Sequence, residues 1–306
     1  MKYIFIVNPH ARSGLGGMTW DIIEPELKKR RVGYQVFLTE KQGHAEKIAS
    51  EVSADGEEHT VVVLGGDGTI NEVLNGLQDP GKITMGYIPI GSSNDFARGL
   101  GICREPLEAL DTVLAAQKIT ELDVGVISRE GKERRFAISA GIGFDAGVCH
   151  QVCLSRWKVL LNKLNLGKLS YAAVALDRLI RCRPAPMKVW VDDGREETFG
   201  KAYFAAFMNL PCEGGGFRFC PEALPSDGKM DLLVAADVPK LKVLLLLPFA
   251  LLGKHIGFRG VTIRRGSRIR VVSEMPLPIH TDGEPLFLRR AVEVRTGEEK
   301  IRVITG

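Results

Sequence analysis

VVVLGGDGTINEV, residues 61–73, decides the fold of this 306-residue chain. Its apolar run predicts a buried strand, its glycines permit a tight turn, and a helix is predicted to begin near Thr69. Backbone N–H groups at such a turn converge on one spot and attract an anion such as phosphate. Asp67 would repel that anion unless a cation such as Mg²⁺ lies between them. Taken alone, the stretch fits a helix cap as well as it fits a phosphate site.

The same strand–helix alternation runs through the first 120 residues. Strands are predicted at 3–9, 34–39, 60–66 and 83–90, and helices at 17–30, 44–52, 69–77, 93–100 and 106–117. The strands are nearly continuous apolar runs, as expected when helices cover both faces of a parallel sheet. This pattern predicts a layered α/β domain.

The second half of the chain has a different rhythm. Strands are predicted at 121–128, 134–141, 187–193, 201–210, 229–236, 261–274 and 291–297, with helical segments near 145–181 and 239–252. Several of these strands alternate apolar and polar residues and are separated by turn residues, which favours an antiparallel sheet or sandwich. The fold class is therefore α/β plus mainly β, with the boundary near residues 120–125.

Composition narrows the classes of partner. The net charge of +4 is too weak to indicate nucleic acid, but it fits nucleotides or an anionic membrane surface. The six cysteines form no CxxC pair, and the N-terminus reads as a strand, so we expect a cytoplasmic protein with reduced thiols. The longest apolar run, 243–252, contains Pro248 and is far shorter than the roughly 20 residues that span a bilayer.

Two further glycine-bearing loops follow predicted strands. NPHARSG (8–14) follows the first strand and PIGSSNDFA (89–97) follows the fourth. Because the carboxyl ends of parallel strands lie at one edge of a sheet, where ligands bind, we expect these loops to meet the GGDGT turn there. Arg98 either reaches a phosphate at this edge or is solvated.

A GxGxxG-like stretch at 141–146 also follows a predicted strand. A dinucleotide site would need an acid about 20 residues further on, and that region is helical without acids. We interpret the stretch as a tight strand-to-helix turn, in which Asp145 could face a ligand.

The full series of motifs resembles the diacylglycerol kinase catalytic superfamily, especially its bacterial lipid kinases. The series continues with NLPCEGGG (209–216), PEALPSDGKMD (221–231) and HTDGEP (280–285), and it spans nearly the whole chain. The GGDGT motif alone is shared with NAD kinases and phosphofructokinases. The resemblance implies an ATP-binding domain at 1–122, joined by strands at 289–306, and a β-sandwich-like lipid domain at 123–288, with the active site in the cleft between them.

The resemblance also assigns residues to roles. It implies ATP contacts from Asn8, Thr39, Gly65, Gly66, Asp67, Gly68, Thr69, Ile70, Asn71 and Ser92. Glu284 would deprotonate the lipid hydroxyl, and Asp67 would organise Mg²⁺ near the phosphates. A second, structural Mg²⁺ would be held by the Asp227 side chain and by the Leu224 and Lys229 carbonyls. Ser92 stands where threonine is usual, but it retains a hydroxyl. Without the resemblance, Glu284 and Asp227 read as ordinary turn residues.

Three functions remain open. The first is an ATP- and Mg²⁺-dependent lipid kinase, with diacylglycerol as the leading acceptor, ahead of sphingoid bases and phosphatidylglycerol. The second is a kinase of a soluble acceptor such as NAD, and the third is a non-catalytic lipid- or nucleotide-binding regulator. A lipid kinase would contact the membrane transiently, and a homodimer is left open.

Two segments are candidates for that membrane contact. One is an amphipathic basic helix around Trp157 to Lys168, which could lie on an anionic membrane surface. The same pattern also fits a helix that packs on the protein and exposes its basic side to solvent. The other, 241–255, is apolar on nearly all sides and is interpreted as a buried helix or a wall of the lipid pocket.

Overall fold

The structure, a computed structural model, describes residues 3–129, 132–147, 179–286 and 288–306. The first half contains β1 (Tyr3–Val7), α1 (Ala11–Lys29), β2 (Tyr34–Leu38), α2 (His44–Val52), β3 (His59–Gly65), α3 (Asp67–Gly76), β4 (Ile83–Pro89), α4 (Asp95–Leu100) and α5 (Pro106–Ala115). The second half contains β5 (Ile119–Arg129), β6 (Lys132–Phe136), β7 (Ser139–Gly143), β8 (Ala185–Val191), β9 (Glu197–Met208), β10 (Met230–Ala236), α6 (Lys240–Leu251), β11 (Val261–Gly266), β12 (Arg268–Leu277), β13 (Ile279–Thr281), β14 (Glu284–Pro285) and β15 (Arg289–Ile304).

The first four strands form a parallel sheet in the order β4-β3-β1-β2. Neighbouring residues of β1 point to opposite faces, so Ile6 packs with residues of α2 and α3, and Phe5 packs with α1 and α5. Both faces are thus covered by helices, which confirms the predicted layered α/β architecture.

The long strand β15 joins the two halves into one continuous sheet. Part of it pairs antiparallel with β12 and β5, and its end pairs in parallel with β4 at Thr84 and Met85. The main strand order is β14-β13-β7-β9-β8-β12-β15-β4-β3-β1-β2, with β5, β6, β10 and β11 branching from it. The parallel strands of the first half therefore belong to the same sheet as strands of the second half.

Two predicted strands are each broken in the structure. The strand predicted at 134–141 is two strands, β6 and β7, because the Asp282 carboxylate accepts the backbone N–H groups of the intervening Ala137 and Ile138. The strand predicted at 261–274 divides into β11 and β12 at Ser267, whose N–H and hydroxyl both donate to Asp192. In each case a carboxylate far away in sequence replaces a ladder partner, which no local pattern indicates.

The interpretation of 241–255 as a buried helix is wrong. Of α6, Val243 and Ala250 are buried, whereas Leu241 and Leu245 are at least 60% exposed. An almost wholly apolar sequence carries no period that would reveal which side packs. Among the described residues, no helix is long and apolar enough to cross a bilayer. The helix predicted around Trp157 to Lys168 lies outside the described residues.

Candidate active site

The three glycine-bearing loops meet at the carboxyl edge of the parallel sheet, as expected. The N–H of Ile90 donates to the Gly65 carbonyl at 2.7 Å. A Cβ on Gly91 would lie 2.8 Å from the Cα of Gly66, so only glycines allow the two loops to touch. From the first loop, the amide of Asn8 donates to the Thr69 hydroxyl at 3.2 Å.

The NPHARSG loop has an unusual backbone. The residues Arg12, Ser13 and Gly14 all have positive φ, so regular helix in α1 begins only beyond them. Asn8 stabilises the loop, since its side-chain oxygen accepts the His10 N–H at 3.1 Å. Successive left-handed residues aim backbone N–H groups in non-helical directions, which suits an anion.

The Asp67 carboxylate binds the start of another helix. Its two oxygens accept the N–H groups of Asp95 at 3.0 Å and Phe96 at 3.2 Å, in the first turn of α4. Asp67 retains some exposed surface, but burial of its carboxylate, followed by the charge of Asp95, raises its pKa to about 7. Asp67 therefore caps α4 and not its own helix, whose N-cap residue is Gly66. Its role at a phosphate site stays a prediction.

Asp95 is the second acid of this group. Its Oδ2 accepts the Gly215 N–H at 2.8 Å, which ties the PIGSSND loop to the CEGGG motif. Its Oδ1 has no hydrogen-bond partner among the described residues, although the Arg98 Nε lies 3.6 Å away. Burial raises the pKa of Asp95. An incompletely paired, buried carboxylate oxygen is a ready ligand for a cation.

Asp282 holds the two halves of the site together. Its oxygens accept the N–H groups of Ala137, Ile138 and Ser139 at 2.8–3.0 Å, and the Asn71 amide at 2.8 Å. Asn71 lies on α3, one turn after Asp67, so Asp282 connects that helix to β7. The DG turn of HTDGEP is thus a structural anchor, with Asp282 itself at φ 48°.

Replacing Asp282 with alanine should destabilise the protein by at least about 3 kcal/mol, since it leaves three buried N–H groups unpaired and removes one acceptor of the Asn71 amide. Thermal unfolding measures the effect. Asp193→Ala, at an exposed position, is the control and should change stability by less than about 0.5 kcal/mol. Equal stability of the two variants would show that these hydrogen bonds contribute nothing net.

Glu284 lies beside the GGDGT loop. A Cβ built on Gly68 would lie 2.8 Å from its Oε1, and the Gln42 amide donates to its Oε2 at 3.3 Å. The short β13–β14 hairpin positions this side chain, because Thr281 pairs with Glu284 across the Asp282–Gly283 turn. The residues predicted as general base and as phosphate-binding loop are therefore in contact.

A buried cluster underlies the same hairpin: Asp145, Glu213 and His280. The Nε2 of His280 lies 3.2 Å from Asp145 Oδ2, and its Nδ1 accepts the Gly283 N–H at 3.2 Å. An Nδ1 that accepts leaves the proton on Nε2, so this ring cannot ligate a metal through Nε2 in its ordinary neutral form. Burial raises the pKa of Glu213 to about 7. The cluster thus stabilises the Asp282–Gly283–Glu284 turn through His280, and the Asp145 side chain is buried against His280.

The predicted structural metal loop packs on β5 and β15, since the N–H of Asp123 donates to the Pro225 carbonyl and the Thr296 hydroxyl donates to the Gly228 carbonyl. In it, Asp227 Oδ1 accepts the Lys229 N–H at 3.0 Å, and Leu224 is more than half exposed. Asp123, which belongs to none of the sequence motifs, joins this loop by accepting the Gly228 N–H at 2.6 Å. Carboxylates and carbonyls are the oxygen donors that Mg²⁺ and Ca²⁺ prefer, so the residues fit such an ion.

The remaining predicted residues occupy varied positions. Thr39 is buried at the end of β2, where its N–H donates to Val7, and Ser92 is exposed in its loop. The side chains of Ile70 and Asn71 are fully buried, so they can meet a ligand only through their backbone. Asp95 and Asp282 have no predicted role, although both lie within the motifs PIGSSNDFA and HTDGEP. Their partners are far away in sequence and are visible only in the structure.

Comparison with known proteins identifies the family. Residues 2–127 match the diacylglycerol kinase catalytic domain, and residues 138–303 match the YegS C-terminal NAD kinase beta sandwich-like domain. YtlR of Bacillus subtilis, which carries a lipid kinase name, is 32% identical over 92% of this chain and 93% of its own length. A diacylglycerol kinase of Mycobacterium tuberculosis is 32% identical over 84% of this chain and 80% of its own length.

Solved structures share the fold. A protein from Bacillus anthracis str. Sterne, described as of the diacylglycerol kinase type, superposes with a TM-score of 0.77 at 23% identity, over 100% of this chain and 97% of that one. An NAD kinase from Archaeoglobus fulgidus in complex with ATP gives 0.53 at 12% identity, over 99% and 93%. With the domain matches, these findings show that the chain belongs to the diacylglycerol kinase family and is a kinase of the lipid kinase class.

Proposed function

We propose that this protein is an ATP- and Mg²⁺-dependent lipid kinase that phosphorylates a lipid hydroxyl, with diacylglycerol as the acceptor and phosphatidic acid as the product. The observation that carries the proposal is the contact between Glu284 and Gly68. It brings a carboxylate to the start of α3, where the loops that suit phosphate converge. Residues 1–122 and 289–306 would hold the nucleotide, and 123–288 the lipid.

Backbone donors do most of the nucleotide binding in this proposal. The residues from Gly65 to Asn71 present the N-terminus of α3, and the loop after Asn8 presents left-handed backbone beside it. Thr39 and Ser92 border the same edge. Phosphoryl transfer needs positioning and charge neutralisation more than covalent chemistry, so such a rigid cradle suits it.

The acidic residues around Asp67 fit a Mg²⁺ ion. One oxygen of Asp95 has no hydrogen-bond partner among the described residues. Burial, followed by the charges of Asp95 and Asp282, raises the pKa of Asp67. A divalent cation would relieve this repulsion; when bound, it supplies positive charge to the phosphates during transfer. Asp67 would therefore act through the ion, while its hydrogen bonds to α4 fix its orientation. Asp227, with the Leu224 and Lys229 carbonyls, would hold the second ion in its separate, structural role.

Glu284 is the proposed general base. A lipid hydroxyl has a pKa far above neutrality, so a carboxylate that accepts its proton during attack assists the transfer. Gln42 orients one carboxylate oxygen, and Asp282 fixes the turn that carries it. The chain's own groups thus position the nucleotide, hold the base and accept the proton.

Gly68→Ala should lower the rate of transfer by displacing the Glu284 carboxylate without destabilising the fold. Alanine favours the helix by about 1 kcal/mol, but its Cβ would displace the Glu284 carboxylate, and a shift of about 1 Å can lower kcat about 100-fold. The matched control is Gly17→Ala on α1, where the nearest atom lies 3.6 Å from the new Cβ. Transfer assays and thermal unfolding on both variants test this; unchanged kcat in Gly68→Ala would remove Glu284 from the reaction.

The proposal is tested by Mg²⁺-dependent transfer of γ-labelled phosphate from ATP to hydroxylated lipids in mixed micelles, with NAD as a parallel acceptor. Label in diacylglycerol is the expected result. Label in another lipid alone would change the acceptor, and label in NAD alone would favour a kinase of a soluble acceptor. If no acceptor is labelled although ATP still binds, the remaining hypothesis is a non-catalytic lipid- or nucleotide-binding regulator.

A further inference from the structure

Helix α6 carries an exposed apolar stripe. Positions 241, 245, 249 and 252 recur at helical spacing on one side, while Val243 and Ala250 on the opposite side pack on the protein. The loop after the helix extends this surface. We name it the α6 face; its large exposed residues are Leu241 (67%), Leu245 (60%), Phe249 (43%), Leu252 (64%), Ile256 (45%) and Phe258 (40%).

The chain segment that carries the α6 face contains basic residues but no acidic ones. No aspartate or glutamate occurs from residue 238 to 273. Lys254 and Arg259 are exposed and flank the apolar residues, and neither forms an ion pair with any described residue. By contrast, Arg264 and Arg265 further along are paired with Glu197 and Asp231. An apolar surface with unpaired basic residues at its edge is complementary to an anionic bilayer.

Helix α6 lies near the proposed active site through its packed side. Arg218 donates its N–H to the Ala250 carbonyl near the end of α6, and Gly215 donates to Asp95. Since three residues span at most about 11 Å, the Ala250 carbonyl lies within roughly 17 Å of the Asp95 carboxylate. A bilayer resting on the exposed side of α6 would lie about one helix diameter, roughly 10 Å, beyond the packed side from which this distance is taken.

We propose that the α6 face docks onto an anionic phospholipid bilayer by inserting its leucines and phenylalanines while Lys254 and Arg259 contact the head groups. The biological purpose of this docking, access to a lipid acceptor, rests on the proposed function. The binding itself can be measured without catalysis. A second copy of the chain is the competing occupant. The basic rim disfavours it, because two such faces in contact would bring like charges together.

Vesicle co-sedimentation is the test, with phosphatidylcholine alone or with about 30 mol% phosphatidylglycerol. The protein should pellet with the anionic vesicles. Leu241→Ser/Leu245→Ser should weaken binding at least tenfold, whereas the matched control Met18→Ser/Ile22→Ser, with the same spacing and similar exposure on α1, should bind like wild type. Lys254→Gln/Arg259→Gln should weaken binding about 25-fold on anionic vesicles only, at about fivefold per charge.

Three results would overturn the inference. They are wild type that stays in the supernatant, α6 variants that bind like wild type, and a dimer in sedimentation velocity that Leu241→Ser/Leu245→Ser dissociates without any vesicle binding. Phosphorylation of a short-chain acceptor that is monomeric in solution distinguishes the docking proposal from the proposed kinase function, because it needs no membrane. The α6 variants should keep it; if wild type binds vesicles but labels no acceptor, docking stands and the proposed function fails.

Discussion

Replacing Glu284 with glutamine should lower the rate of phosphate transfer to lipid by about 10²–10⁴-fold while leaving ATP affinity nearly unchanged. Glutamine keeps the size of the side chain and can still meet the Gln42 amide, but it cannot accept the hydroxyl proton. Because the side chain is only partly buried, the melting temperature should also stay close to that of wild type. The measurement pairs single-turnover transfer at saturating ATP with a nucleotide-binding titration.

Glu274→Gln on β12, an exposed acid away from the loops, is the matched control and should transfer phosphate at the wild-type rate. If Glu284→Gln retains full activity, the base assignment fails. If it loses ATP binding instead, Glu284 acts on the nucleotide, and the catalytic role belongs to another group.

Asp67→Asn should abolish transfer and yet stabilise the protein at pH 8. The pKa of Asp67 is about 7 in the folded chain and near 3.8 unfolded, so stability falls as pH rises from about 4 to 7, where the unfolded state releases its proton first. Without Mg²⁺, ionised Asp67 therefore costs about 2–4 kcal/mol above pH 7. Asparagine removes that cost while it keeps one acceptor for α4.

Thermal unfolding of Asp67→Asn and wild type at pH 5 and pH 8, without Mg²⁺, measures this difference. The stability that the variant gains over wild type should be larger at pH 8 than at pH 5, and Asp193→Asn, at an exposed position, should show no such dependence. Equal destabilisation at both pH values, with activity retained, would mean that Asp67 only caps α4.

The α/β half was predictable because its signals are local. Each apolar run from β1 to β4 ends in a glycine-bearing loop, and parallel strands bring those loops to one edge whatever their distance in sequence. The family resemblance added roles for Glu284 and Asp67. Gly66 and Gly91 can approach each other closely because neither residue carries a Cβ.

The rest depended on partners far away in sequence. Asp282 breaks the strand predicted at 134–141 from 145 residues further along the chain, and the backbone N–H groups that donate to it belong to no motif. The Asp145–His280 pair joins two motifs that read separately as turns. The orientation of α6 was not predicted because apolar residues occur on every side of the helix, so the sequence does not indicate which side packs. Val243 is buried, for example, whereas Leu245 is exposed.

A crystal structure with a non-hydrolysable ATP analogue and Mg²⁺ would test the central claim most directly. We predict that the γ-phosphate lies at the N-terminus of α3, with Mg²⁺ near Asp67 and Asp95 and with the Glu284 carboxylate within about 6 Å of the phosphorus, leaving room for one hydroxyl. A nucleotide bound away from the GGDGT loop, or Glu284 turned away from the γ-phosphate, would contradict the account.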